Sequence, residues 1–141
     1  KDANNMGAAM APAALATIQA HFSDLNTNAE ALNLIVTGDL GHVGKESLLA
    51  LARKKGISLG GKLADCGTMI FDLESQDVHS GGSGCGCSAV TLCSTLLEDI
   101  KTGKLKRILF CGTGALLSPT STQQGLPIPG VCHAVCITGG Q

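Results

Sequence analysis

The sequence predicts a layered α/β domain in which helices cover a mixed β-sheet, and three observations carry that prediction. Helical and strand patterns alternate along most of the chain, the β-branched runs end at glycine-rich turns, and the last two strand runs follow one another without a helical pattern between them. A length of 141 residues suits one domain.

The first element is a helix over residues 6–22, where Ala14, Leu15, Ile18 and Phe22 share one apolar face. Pro12 lacks a backbone donor and is expected to bend or restart this helix. Residues 26–30 form a polar connection. Residues 32–37 (LNLIVT) then read as a buried strand closed by Gly38. A glycine-rich loop over 38–44 (GDLGHVG) leads into a helix over 45–55, ended by basic residues and Gly56. Residues 57–61 are loop-like, and 62–67 (KLADCG) read as a short strand or a turn. A second glycine-rich loop, 80–86 (SGGSGCG), precedes a helix over 87–101 that Gly103 stops. Residues 106–111 (KRILFC) form a strand, followed by the glycine-rich stretch 112–114 and a Ser/Thr/Pro-rich loop to Gly130. The last strand, 131–138 (VCHAVCIT), alternates enough to lie antiparallel to its predecessor.

Composition narrows the function classes. Ten Lys and Arg oppose eleven Asp and Glu, a formal charge of -1, so no long-range field favours a nucleic acid or an anionic membrane. The cluster Lys101, Lys104, Lys106 and Arg107 reads as a solvated helix end. With no Trp or Tyr, stacking platforms for single strands are missing as well. No apolar run approaches the ~20 residues that span a bilayer, and the opening Lys1-Asp2-Ala3-Asn4-Asn5 does not read as a secretory leader. The chain is expected to be soluble. Its seven cysteines (66, 85, 87, 93, 111, 132 and 136) are odd in number and sit in apolar runs, which points to reduced, core-packed thiols. Their spacing lacks the paired Cys-x2-Cys units of zinc sites, so no metal is expected.

A phosphate-binding loop needs Gly, four residues, Gly-Lys and a hydroxyl residue. Around Gly44-Lys45 the first glycine position is Asp39 and the hydroxyl position is Glu46, and both substitutions disfavour a phosphate and its magnesium. Gly112-Thr113-Gly114 fails the dinucleotide pattern because the third glycine position is Leu117. His42 and His79 sit in or beside glycine loops, where a ring could reach a ligand. His133 reads as a packing residue and His21 as a helix-face residue without a partner. The three glycine loops adjoin strand ends, the edge of an α/β sheet where ligands collect, and glycines there let a small flat ligand approach the backbone.

Four segments carry a resemblance: residues 5–14 (NMGAAMAPAA), 79–89 (HSGGSGCGCSA), 109–120 (LFCGTGALLSPT) and 125–130 (GLPIPG). Through them the chain resembles the stage V sporulation protein AD family along its whole length, although the family's proteins are considerably longer. The resemblance implies the carboxy-terminal half of a thiolase-like fold, a layered α-β-α half-domain with a mixed sheet. The amino-terminal half would be absent and the first strand of this half would lie just before Lys1. Thiolase relatives that do acyl chemistry place a His after the strand matching 32–37 and an Asn before the third helix. The corresponding positions here are Gly38 or Asp39 and Gly82, which lack those functions. The resemblance therefore implies a non-catalytic protein without a cofactor, associated with uptake of dipicolinic acid and its calcium. Its partners would be integral membrane proteins of the same sporulation operon, at the spore inner membrane, and a second copy in a homodimer. Gly38, Asp39, His42, Gly82, Ser83 and Gly84 are the expected pocket residues, their backbone donors and a helix N-terminus suiting a flat dianion. The alternative is a residual acyl-transfer enzyme in which His42 or His79 has become the base; it requires one of those rings beside a Cys or Ser.

Overall fold

The computed structural model describes residues 5–140; residues 1–4 and 141, and with them most of the opening stretch read against a leader, lie outside that range. Helix α1 (Met6–Asp24) begins where the Asn5 side chain accepts the Ala8 N–H at 3.0 Å. It runs unbroken through Pro12 and buries Ala9, Met10, Ala11, Ala14, Leu15 and Ile18. A proline inside a helix costs about 3 kcal/mol, whereas burying a Leu or Ile side chain contributes about 1.5–3 kcal/mol each. The apolar face therefore outweighs the lost hydrogen bond, and the expected restart at Pro12 is not seen.

A 3-10 turn (Ala29–Ala31) leads to strand β1 (Leu34–Thr37), helix α2 (Gly41–Lys54), strand β2 (Leu63–Asp65) and the one-turn helix α3 (Cys66–Met69). After the 79–86 loop come α4 (Cys87–Thr91), a π-helical turn (Leu92–Leu96) and α5 (Leu97–Lys101), which follow one another without a gap and together cover the expected third helix. Strand β3 (Arg107–Ala115), the short helix α6 (Pro119–Gln123) and strand β4 (Gly130–Thr138) complete the chain.

The strands form a mixed sheet in the order β2-β1-β3-β4. β1 pairs in parallel with β2 (Val36 opposite Ala64) and with β3 (Val36 opposite Phe110), and β3 pairs antiparallel with β4 from Arg107–Thr138 to Ala115–Gly130. One face carries α1 and α2, closing a core of Leu15, Ile18, Ile35, Leu48, Leu109 and Cys111. The other face carries the α4–α5 helix, whose Cys87, Leu96 and Ile100 pack on Val36, Cys66 and Ile108. The result is the layered α-β-α arrangement with a mixed sheet that the sequence predicts.

Two boundaries differ from expectation. α2 starts at Gly41 rather than Lys45, because distant residues cap it, as described below. The 112–114 stretch is not a loop but the end of β3, where Gly112, Thr113 and Gly114 stay in register with His133, Cys132 and Val131. Glycine weakens a strand locally, but a nine-residue ladder to β4 holds it straight. His133 is exposed rather than packed: on its face of β4 the α4–α5 side core reaches Ile137 but, among the described residues, does not bury the imidazole. Four thiols (Cys66, Cys87, Cys111, Cys132) are buried as expected; Cys85, Cys93 and Cys136 are exposed, and all seven are free.

Candidate functional site

The carboxy ends of β1 and β3 meet the amino ends of α1, α2 and α4, and one buried carboxylate organises this edge. Asp65, the last residue of β2, accepts four hydrogen bonds: from Thr37 Oγ1 (2.6 Å) and Leu40 N (2.8 Å) on one oxygen, and from Gly41 N (2.9 Å) and Gly67 N (3.0 Å) on the other. It thereby caps α3 locally and α2 from across the sheet. The next two N–H groups of α2 donate to Ser80: His42 N to its carbonyl (2.6 Å) and Val43 N to its hydroxyl (3.1 Å). All four donors that a helix start leaves open are thus satisfied. The amino end of α2 is a joint between the sheet and the 79–86 loop, not an anion site. Burial pushes the Asp65 carboxyl above its ordinary range, and the hydrogen bonds from Thr37, Leu40, Gly41 and Gly67 pull against it.

Above this joint lies a cleft of about 350 Å³ lined by Met6, Met10, Asp39, Gly84, Cys85, Ser88, Thr113, Gly114 and Ala115. A smaller hollow of about 210 Å³ adjoins it, sharing Met6, Met10 and Asp39 and adding Asn5, Leu40 and Ser80–Ser83. Asp39 stands between the two and fixes the wall. Its Oδ1 accepts the Thr113 hydroxyl (3.1 Å), its Oδ2 accepts Gly84 N (3.3 Å), and its own N–H donates to Thr113 Oγ1 (3.2 Å). Gly38 lies just behind: a Cβ there would sit 2.9 Å from Thr113 Oγ1 and 3.3 Å from Ser88 Cβ, so only glycine lets β1 end this close to β3.

Of the expected pocket residues, Asp39 and Gly84 line the larger cleft, Asp39, Gly82 and Ser83 the smaller, and Gly38 supports the wall. His42 is not brought in; it is exposed on the first turn of α2 and lines neither hollow. The glycine donors are also largely engaged. Gly82 N donates to the Gly67 carbonyl at 2.7 Å and Gly81 N to the Val78 carbonyl at 2.9 Å. A side chain at position 82 would run into Ile70 and Phe71. Sequence reasoning missed Met6, Met10, Ser88 and Thr113, which other elements carry to the cleft. It missed Asp65 too, although an Asp closing a short apolar run before Cys-Gly-Thr is a legible helix cap.

The nearby thiols and imidazoles are poorly placed for nucleophilic work. Burial, with the charges of Asp65 and Cys87, pushes the Cys66 thiol up to about 12. Burial and the carboxylates of Asp39 and Asp65 likewise raise Cys87. Such thiols stay protonated at neutral pH. The His79 side chain is nearly all in solvent, its Nδ1 3.6 Å from Asp77 Oδ1. Among the described residues no histidine ring hydrogen-bonds a Cys or Ser side chain.

The class that fold and site define is a three-layer α/β domain with an open cleft at the carboxy ends of its parallel strands. The family profile for Stage V sporulation protein AD (SpoVAD) matches residues 1–138. The chain is also 46% identical over 134 residues to Stage V sporulation protein AD of Bacillus subtilis (strain 168), a match covering 95% of this chain and 39% of the relative. The chain belongs to the Stage V sporulation protein AD family, and that name ties it to sporulation. It spans about two fifths of the length of that relative. No helix among the described residues is long and apolar enough to cross a membrane.

Proposed function

We propose that the chain is a non-catalytic, small-molecule-binding part of the sporulation apparatus that takes dipicolinic acid, together with its calcium, for delivery into the spore. The observation that carries this reading is the cleft at the ends of β1 and β3. It is walled by Met6 and Met10 and by glycine backbone, and it is held open by the Asp39–Thr113–Gly84 hydrogen bonds. Thioether and glycine walls suit a flat ring, which needs close approach more than side-chain contacts. The Asp39 carboxylate on that wall opposes a bare dianion, and a calcium carried with the dicarboxylate offsets it. Acyl transfer would require His42 or His79 beside a thiol or hydroxyl. Neither ring is so placed among the described residues, and the Cys66 and Cys87 thiols near the cleft are held protonated, which supports binding over chemistry.

In this reading the domain is one half of a thiolase-like, dimeric protein that works at the membrane beside integral partners of the same apparatus. The outward face of the α4–α5 helix supports a docked second layer: residues 78–97 contain no Lys, Arg, Asp or Glu, and Val90 and Leu97 are exposed on it. A helical stretch without charge on either face, as Cys87 to Leu97 is here before the Glu98–Lys101 end, belongs between two layers. Calorimetric titration with calcium dipicolinate, of this chain and of a chain extended to the length of its relatives, tests the reading. Saturable heat is expected from the extended chain. Absence of heat in both, with no displacement by a related pyridine dicarboxylate, overturns it.

A further inference from the structure

Three sulfur side chains meet at one cleft. Met6 and Met10 stand one turn apart at the start of α1, where residues four apart share a helix face, and Cys85 sits in the loop that leads into α4. All three line the cleft of about 350 Å³ between those elements. The sequence holds three methionines, Met6, Met10 and Met69, so two of the three come to the same place. Met6 is 40% exposed and Met10 4%, so one thioether is open to solvent and the other is enclosed. Cys85 is an exposed, free thiol. The other exposed thiols, Cys93 and Cys136, line neither hollow at this edge of the sheet.

The donor set decides what such a place can hold. A structural zinc site takes four thiolate or imidazole ligands; here there is one thiol, and among the described residues no imidazole lines the cleft. Calcium and magnesium take oxygen, and the carboxylate on this wall, Asp39, already accepts Thr113 and Gly84. Thioether and thiolate are soft ligands of the kind that suit copper(I). One thiolate against one copper(I) adds no net charge, which fits a wall that includes Gly114 and Ala115. Methionine has three rotatable bonds, so the thioethers can close on an ion without backbone movement. Cysteine spacing does not reveal this place, because two of its three donors are methionines carried in by α1.

We propose that Met6, Met10 and Cys85 form a three-sulfur site for a soft monovalent cation, copper(I), in the cleft. Cys85 gives its proton to water as the sulfur–copper bond forms, each thioether donates a lone pair, and no electron changes hands. The site does not depend on what else the cleft binds. Anaerobic titration of the chain with copper(I), in competition with a chromophoric copper(I) chelator, is the test. One equivalent should be held, and X-ray absorption at the copper edge should show three sulfur neighbours. Met6→Leu and Met10→Leu conserve volume and remove the sulfur; each should weaken binding at least about tenfold, the effect of losing even an outer-shell partner of a metal. Cys85→Ser should weaken it further, while Cys93→Ser and Cys136→Ser leave it unchanged. Melting curves check that the variants fold, and the exposed Met6 keeps the test decisive if Met10→Leu melts early. Copper(I) stripped completely by the chelator overturns the proposal. So does full binding in the leucine variants, which would leave Met6 and Met10 as apolar wall, and so does binding that is lost with Cys93 or Cys136.

Discussion

Asp65 shows how much one side chain decides at this edge of the sheet. Its two oxygens accept one hydroxyl and three backbone N–H groups, so every partner is a donor. Asp65→Asn keeps the shape but replaces one acceptor with an amide that faces donors. A buried donor left unsatisfied costs about 1–3 kcal/mol. Urea unfolding of the variant should therefore show a loss of roughly 2 kcal/mol or more, with the cleft loosened because either Leu40 or Gly41, which bond different oxygens, loses its anchor. An unchanged midpoint would remove Asp65 from this role. His21 supplies the pH dependence. It is half-buried on the last turn of α1, its Nε2 has no partner, and burial, followed by the charge of Arg107, lowers its pKa. A histidine depressed in the folded state binds fewer protons there than when unfolded. Stability consequently rises with pH from its folded pKa up to the ordinary value near 6.5, and acid removes it. The melting temperature is expected to fall between pH 7.5 and pH 5.5, and His21→Gln should flatten that fall.

At the scale of elements, the α1–α2 crossing rests on two glycines. A Cβ on Gly44 would sit 2.8 Å from both Cα and C of Gly7, atoms that cannot rotate away. In an open helix, Gly→Ala gains about 1 kcal/mol; here the helices must part, and overpacking of this kind costs about 1–3 kcal/mol. Gly44→Ala should therefore lower stability in thermal or urea melts, whereas Gly86→Ala, with nothing near its Cβ and an ordinary φ of -94°, should be neutral or better. The same elements show which parts of the fold were legible. The apolar face of α1, the β-branched β1 and the alternating β4 announce themselves within a few neighbouring residues, and so the layering and the antiparallel last pair follow from sequence. The start of α2 does not, because its caps come from Asp65 and Ser80, more than twenty residues away. The end of β3 reads as a loop for a similar reason: Gly112 and Gly114 are strand only by virtue of β4. At the site, Asp39 and Gly84 could be found as strand-end and loop residues. Met6, Met10 and Thr113 could not, since packing alone brings α1 and β3 to that cleft.

Over the whole molecule, charge is segregated. Residues 78–97 and 110–141 hold no Lys, Arg, Asp or Glu, and they supply Val90, Leu97, Leu116, Leu117, Leu126, Val131 and Val135 to the exposed apolar surface. The α1–α2 side, in contrast, carries Lys45, Glu46, Arg53, Lys54 and Lys55 as a solvated face should. Large apolar side chains exposed on charge-free segments mark an interface, and its sign can be tested by placing one charge in two contexts. In this chain by itself, Val90→Glu adds a carboxylate to an exposed position; stability should change by less than about 0.5 kcal/mol, and self-association should decrease. In the longer protein the same carboxylate would be enclosed between layers without a partner, which costs roughly 2 kcal/mol or more. Light scattering of the chain and urea unfolding of both forms read the two effects. A variant that is neutral in the longer protein would mean that the α4–α5 face stays in water there, and the second layer would have to dock elsewhere.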